Sequence, residues 1–364
     1  MQIKEIINLL EELSPTFYAE SYDNVGLLVG DPNAKLTGIL ITHDTLPKVV
    51  DEAVEKGLNM IVSFHPIIFS GLKKITGKNY VEKTVIKAIK NDIAIYAIHT
   101  ALDVSWQGVN DIVLQKLGAV NKQILLPKEN TIKKLSTYVP AENAEKVRLA
   151  LFESGAGTIG NYDNCSFNIV GNGTYKGNEE SNPVIGEKGV LHIEKESNIN
   201  ITFPAHLERK ILNTLIKVHP YEEVAYEITT LDNQNQQIGL GMTGELQNPM
   251  PEIDFFQYLK EKLPTKCIRH SNFTGKEIKK IAVLGGSGSF ATKSAIASGA
   301  DVFISADFKY HEFYGAEDKI IIADIGHYES EQFTKNLLFE YLSKKITKFA
   351  VVLSELNTNP INYL

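Results

Sequence analysis

Over the first hundred residues, short apolar runs alternate with amphipathic stretches. Gly38-Ile39-Leu40-Ile41-Thr42, Met60-Ile61-Val62-Ser63-Phe64 and Ile93-Ala94-Ile95-Tyr96-Ala97-Ile98 are nearly continuous in apolar side chains. Between the first two runs, Leu46, Val49, Val50, Ala53 and Val54 recur at helical spacing. Strands apolar on both faces and separated by helices predict a largely parallel sheet covered on both sides. The same grammar returns at Ile281-Ala282-Val283-Leu284, Val302-Phe303-Ile304-Ser305, Ile320-Ile321-Ile322-Ala323 and Phe349-Ala350-Val351-Val352-Leu353. A second α/β lobe, or an extension of the first, is expected there.

The middle of the chain follows another pattern. Strand-like segments at 135–139, 165–170, 189–203 and 224–228 and helix-like segments at 144–152 and 206–218 give the order β-α-β-β-α-β. That is the split order of a ferredoxin-like module, with a polar Gly- and Asn-rich surface loop near residues 172–182. The expected fold class is therefore α/β, with a discontinuous core of two α/β lobes around a mainly parallel sheet. The expected boundaries are 1–128 for the first half of the core, 129–240 for an inserted ferredoxin-like α+β domain and 241–364 for the second half.

A chain of 364 residues exceeds one ordinary core, and 43% hydrophobic with 22% charged residues is the balance of a globular protein. The net charge of −7 leaves no bulk positive field to gather phosphodiester backbones, so nucleic acid is not an expected partner. The first ten residues carry an acid and amphipathic spacing, unlike a signal peptide, and no apolar stretch reaches bilayer length. A cytoplasmic location without a membrane partner is expected. Cys165 and Cys267 are the only cysteines, too few for a disulfide framework or a thiolate zinc cage. Any metal must use nitrogen and oxygen donors.

Such donors gather where the apolar runs end. In open parallel sheets ligands bind beyond the carboxyl ends of the strands. His65 follows the run ending at Phe64, and His99 and Asp103 follow Ile98. Asp307 and His311 follow Ser305, while Asp324, His327 and Glu331 follow Ala323. His327 and Glu331 are four apart, one turn on a single helical face. A lone histidine at a strand end is ordinarily a surface or capping residue, and an i,i+4 His/Glu pair is ordinarily a solvated contact. Four strand ends delivering such groups to one sheet edge point instead to a divalent-metal site, with zinc, iron and manganese all compatible.

The motifs Tyr22-Asp23-Asn24-Val25-Gly26, Ser63-Phe64-His65-Pro66, His99-Thr100-Ala101-Leu102-Asp103, Gly285-Gly286-Ser287-Gly288-Ser289 and Gly326-His327-Tyr328-Glu329-Ser330-Glu331 occur in the order of the Nif-three-like dinuclear metal-centre family, the GTP cyclohydrolase I type 2 homologues. The resemblance covers nearly the whole chain. It implies one or two divalent ions per subunit, held by His65, Asp103, His327 and Glu331 with a bridging carboxylate, in a ring-shaped homohexamer. The middle segment is similar to the PII- or CutA-like insert of the longer members. One position departs from the pattern: the family often has two adjacent histidines before the proline, and Phe64 offers no lone pair. The second ion then loses a ligand to water or borrows one, with His99 the first spare and His43 and His311 behind it.

Metal-assisted hydrolysis of a nucleotide or another phosphate-bearing small molecule is the expected activity, with His99 as ligand or general base. The alternative is a non-enzymatic metal-stabilised scaffold, a metal chaperone, or a sensor whose insert binds a small effector. The Gly285–Ser289 loop is either an anion cradle or a tight turn needing small residues. Asp44 or Thr45 is expected to cap the following helix, His43 to reach the site from behind, and Trp106 to pack in the core or wall the pocket.

Overall fold

The computed structural model describes all 364 residues. In chain order the elements are α1 (Ile3–Leu13), β1 (Gly26–Val29), β2 (Gly38–Thr42), α2 (Pro47–Glu55), β3 (Met60–Ser63), α3 (Tyr80–Lys90), β4 (Ala94–Ala97), α4 (His99–Asp103), α5 (Val109–Lys116), β5 (Val120–Pro127) and β6 (Ile132–Pro140). They continue as α6 (Ala144–Glu153), β7 (Phe167–Lys176), β8 (Leu191–Pro204), α7 (Glu208–Val218), β9 (Tyr226–Leu231), β10 (Gly239–Met250), α8 (Glu252–Lys262), β11 (Arg269–His270) and β12 (Ile278–Ser287). Last come α9 (Thr292–Ala297), β13 (Val302–Ala306), β14 (Ile321–Asp324), α10 (His327–Glu331), α11 (Thr334–Lys345) and β15 (Ala350–Leu353). The chain divides into two compact units, one made of Met1–Pro127 with Gln236–Leu364, the other of Lys128–Asn235.

The first unit is α/β and holds two sheets. One has the order β1-β4-β3-β2-β15, parallel from β15 to β4 with β1 antiparallel at the edge. Every residue of β2, β3 and β4 is buried, which explains their lack of polar alternation. On one face Val49, Val50 and Ala53 of α2 pack on Leu40, Ile61 and Ile95. On the other, Leu338 and Leu342 of α11 pack on Ile39, Ile41 and Val62. Each such buried aliphatic side chain contributes about 1.5–3 kcal/mol. The register sets Thr42 beside Ser63 and Ser63 beside Ala97, so the carboxyl ends of three strands finish level.

The second sheet, β11-β14-β13-β12-β10-β5, is mixed rather than mainly parallel. β12, β13 and β14 form a parallel trio, but β10, β5 and β11 join antiparallel. The cause lies in β5 and β10, which pair with Pro127 opposite Gly239 and close the unit on either side of the intervening residues. Phe255 and Leu259 of α8 cover Ile281, Val283, Val302 and Ile304 from one side.

In the second unit the strand order is β7-β8-β6-β9, antiparallel throughout. α6 and α7 supply Val147, Leu151, Ile211 and Leu215 to a core with Leu135, Val139, Ile199 and Ile201. No helix in the chain is long and apolar enough to cross a membrane.

Candidate metal centre

The level carboxyl ends of β2, β3 and β4 deliver His43 with Asp44, then His65, then His99, and α4 adds Asp103. From the second sheet, Asp307 follows β13 and His327 follows β14. His327 and Glu331 are the first and last residues of α10, one turn apart. Gly326 starts that turn at φ +95°, and a Cβ there would fall 2.3 Å from Glu329 Oε2. Only glycine fits this position.

Glu331 Oε2 is the focus of the arrangement. It lies 3.3 Å from His65 Nε2, 3.3 Å from His327 Nε2 and 3.6 Å from His43 Nε2. Donors bonded at about 2.1 Å to one tetrahedral cation stand about 3.4 Å from each other. The separations of His65 and His327 from Glu331 Oε2 match that spacing. Four buried side-chain polar atoms in the chain lack a hydrogen-bond partner, and three belong here: His43 Nε2, Asp103 Oδ1 and Glu331 Oε2. Each unpaired buried group costs about 1–3 kcal/mol. A cation beside Glu331 Oε2 would partner that oxygen, and His43 Nε2 is 3.6 Å from it, so the residues fit a metal.

Behind the donors stands a row of oxygen anchors. His65 Nδ1 bonds Asp44 Oδ1 at 2.8 Å, and Asp44 Oδ2 accepts from the Thr358 hydroxyl at 2.6 Å. His327 Nδ1 bonds Asp307 Oδ2 at 2.7 Å, which also accepts from the Ser287 hydroxyl. His99 Nδ1 bonds Asp23 Oδ1 at 2.8 Å, while Asp23 Oδ2 accepts from the Thr100 hydroxyl and, at 3.1 Å, its N–H. A carboxylate on Nδ1 fixes the tautomer that leaves Nε2 as the free donor. His99 at φ +25° and Asp307 at φ +59° occupy left-handed backbone, a strain of about 1–3 kcal/mol each for such residues, borne where the side chains must be aimed.

The charges follow the contacts. Burial opposes protonation of His65, but its bond to Asp44 and the nearby Glu331 carboxylate outweigh it and raise the ring to about 9. Burial likewise opposes protonation of His327, and Asp307 and Glu331 raise it to about 11. For Glu331, burial pushes up while the His327 and His65 rings hold the carboxyl below its usual range. Asp103 is pushed well up by burial and by the charge of Glu331. Burial and the neighbouring His65 lower His43 to about 4, leaving it neutral. Burial raises Asp23, but the bonds from His99 and Thr100 prevail and bring it to about 2.

Two sets of donor atoms lie within 4.8 Å of one another: His65 with His327 and Glu331, and His43 with Asp44 and His65. Asp103 and His99 stand outside these sets but line the adjoining cavity of about 810 Å³, which His65, His327 and Glu331 also line. His311 is elsewhere, with its ring against Tyr310 and Tyr314, so it is no spare ligand. Asp44 and Thr45 do not cap α2, whose N-cap is Leu46 and whose first turn begins with Pro47. The anchoring roles of Asp23, Asp44 and Asp307 went unread in the sequence, although all three are near β-strand termini or turns. In the glycine loop, Gly285 N–H donates to Asn110 Oδ1 and Gly286 N–H to Ser330 Oγ, both at 2.9 Å, so neither is open to an anion. The small residues make room instead: a Cβ on Gly286 would fall 2.4 Å from Glu331 Oε1. Trp106 packs against the core of the second sheet.

Residues 1–360 match the model of the Duf34/NIF3 (NGG1p interacting factor 3) family. The chain belongs to the Duf34/NIF3 family. A Bacillus subtilis relative named GTP cyclohydrolase 1 type 2 homolog is 37% identical, over 99% of this chain and 98% of its own. A Staphylococcus aureus relative of the same name is 34% identical, with both chains covered in full. Among Duf34/NIF3 folds, the crystal structure of a Bacillus cereus protein related to NIF3 superposes with a TM-score of 0.86 at 37% identity, covering 100% of this chain and 99% of that one.

Proposed function

We propose that this Duf34/NIF3 chain is a cytoplasmic metal-dependent hydrolase acting on a nucleotide or another phosphate-bearing small molecule. His65, Asp103, His327 and Glu331 hold one or two divalent cations per subunit, of zinc, iron or manganese. The observation that carries this reading is the pair of 3.3 Å separations between Glu331 Oε2 and the two anchored imidazole nitrogens. A divalent cation held there supplies Lewis acidity, acidifying water and polarising the bond to be broken.

The chain's own residues divide the remaining work. Asp103 and Glu331 neutralise the positive charge, and His65 and His327 give neutral nitrogens aimed by Asp44 and Asp307. His99, oriented by Asp23, is placed to take a proton inside the cavity. Tyr22, Phe69, Tyr80 and Phe290 line the same cavity and are largely exposed, offering faces to a planar base. No lysine or arginine lines it, so phosphate charge must meet the cation and the imidazoles. The names of the relatives point to GTP opened at its imidazole ring as the first substrate to try.

In the second unit the strands lie fourth, first, third, second across the sheet, which supports a ferredoxin-like, PII- or CutA-like module. Phe167, Ile169 and Val170 on its edge strand β7 are exposed, which supports self-association in a homohexamer. A sensor role has one observation in its favour, a cavity of about 670 Å³ in that unit lined by Tyr175, Glu196 and Tyr221. The test is turnover of GTP and related nucleotides by zinc-, iron- and manganese-loaded protein. Turnover lost in Asp103→Ala is expected; saturable nucleotide binding without turnover in any loaded form would favour the sensor.

A further inference from the structure

His43 is built into the site as firmly as the residues named above. It follows β2, and its carbonyl accepts from the His65 N–H at 3.0 Å, so the two histidines sit side by side on neighbouring strands. Its ring stacks on Phe64, with centroids 5.3 Å apart and planes 21° apart, and meets Tyr328 edge-on at 5.0 Å. Its Nδ1 is 3.3 Å from the hydroxyl of Thr334, the first residue of α11. Two aromatic contacts and one hydroxyl thus fix the plane and the rotation of the imidazole.

The nitrogen left over is Nε2. It is buried in a side chain only 2% exposed, has no hydrogen-bond partner and lies 3.6 Å from Glu331 Oε2, itself 3% exposed and unpartnered. A ring nitrogen used only for packing has no reason to be turned toward a carboxylate oxygen beyond hydrogen-bond reach. One used for coordination does, because about 3.4 Å is the separation of two donors on a shared cation. With the hydrogen on Nδ1 toward Thr334, Nε2 keeps the ring's lone pair on the side of Glu331 Oε2, the oxygen that His65 and His327 also approach. Phe64, the neighbour it stacks on, has no donor to offer.

We propose that His43 is a metal ligand, its Nε2 joining His65, His327, Asp103 and Glu331 as a third imidazole donor. This rests on the reading of the cluster as a metal centre. It enriches the site in nitrogen, and so favours zinc and iron over magnesium or calcium.

The test uses the full-length protein, stripped of metal and titrated with cobalt(II) or zinc(II), in wild type, His43→Gln and His43→Ala. Readouts are ions bound per chain, Kd, the cobalt visible spectrum and the metal-induced rise in melting temperature. We expect wild type to bind, and both variants to bind about a hundredfold more weakly or with one ion fewer, with a changed cobalt spectrum. The metal-induced rise should shrink in both, a difference that survives any general loss of stability. Binding and spectra equal to wild type in both variants would overturn the role of His43 and leave the metal centre standing. Absence of binding in wild type would overturn both.

Discussion

At Glu331 the whole centre is joined, because one oxygen faces three imidazole nitrogens at 3.3–3.6 Å. Removing it, as in Glu331→Ala, should strip bound metal while the fold persists. His327→Ala should do the same. Elemental analysis with far-UV circular dichroism checks both, and metal content equal to wild type in either would contradict the assignment. The proton balance gives a second prediction. His65 and His327, raised to about 9 and 11, carry protons at pH 7 in the metal-free chain, and coordination needs them neutral. Their ion pairs contribute stability that is full below about 6.5 and is lost as pH rises through 9 and then 11. Metal loading at pH 7 should therefore release protons, and affinity should rise toward pH 9. Calorimetry in buffers of different ionisation enthalpy measures the release; a value of zero would mean the rings are not the ligands.

At the scale of elements, the loop after β12 and the one-turn helix α10 must approach closely. Gly286 has φ +67°, and a Cβ there would fall 2.4 Å from Glu331 Oε1. Gly286→Ala should cost about 1–3 kcal/mol by denaturant titration and also weaken metal binding, because the nearest atom that can yield is a donor. Unchanged metal affinity would show that Glu331 is not held by this contact. What the sequence made legible at this scale was local. Phe64, Ile98 and Ala323 close apolar runs, and the four-residue spacing of His327 and Glu331 is visible in one line of sequence. The anchors were not legible: Asp23 reaches a histidine 76 positions away, and Asp307 one 20 away, through pairing that only the sheets determine. The 3.6 Å approach of His43 to Glu331 is likewise hidden in the sequence, since it depends on α10, which follows a strand of the other sheet. The mixed character of the second sheet escaped because β10, Gly-Leu-Gly-Met-Thr-Gly-Glu-Leu-Gln-Asn-Pro-Met, is rich in glycine and polar residues and carries no strand signal in the sequence.

For the whole molecule, the exposed Phe167, Ile169 and Val170 of β7 predict association. Light scattering should find a hexamer, and a Val170→Lys substitution should lower the mass without removing metal from the first unit. A monomer at all concentrations would refute the ring. The central claim is that separate strand ends of one unit hold a cation in common. Protein purified without added metal, examined by elemental analysis and by anomalous diffraction at the edge of the metal found, tests it most directly. A peak enclosed by His65 Nε2, His327 Nε2 and a Glu331 carboxylate oxygen is predicted; metal-free crystals, or a peak bound only elsewhere, would contradict it.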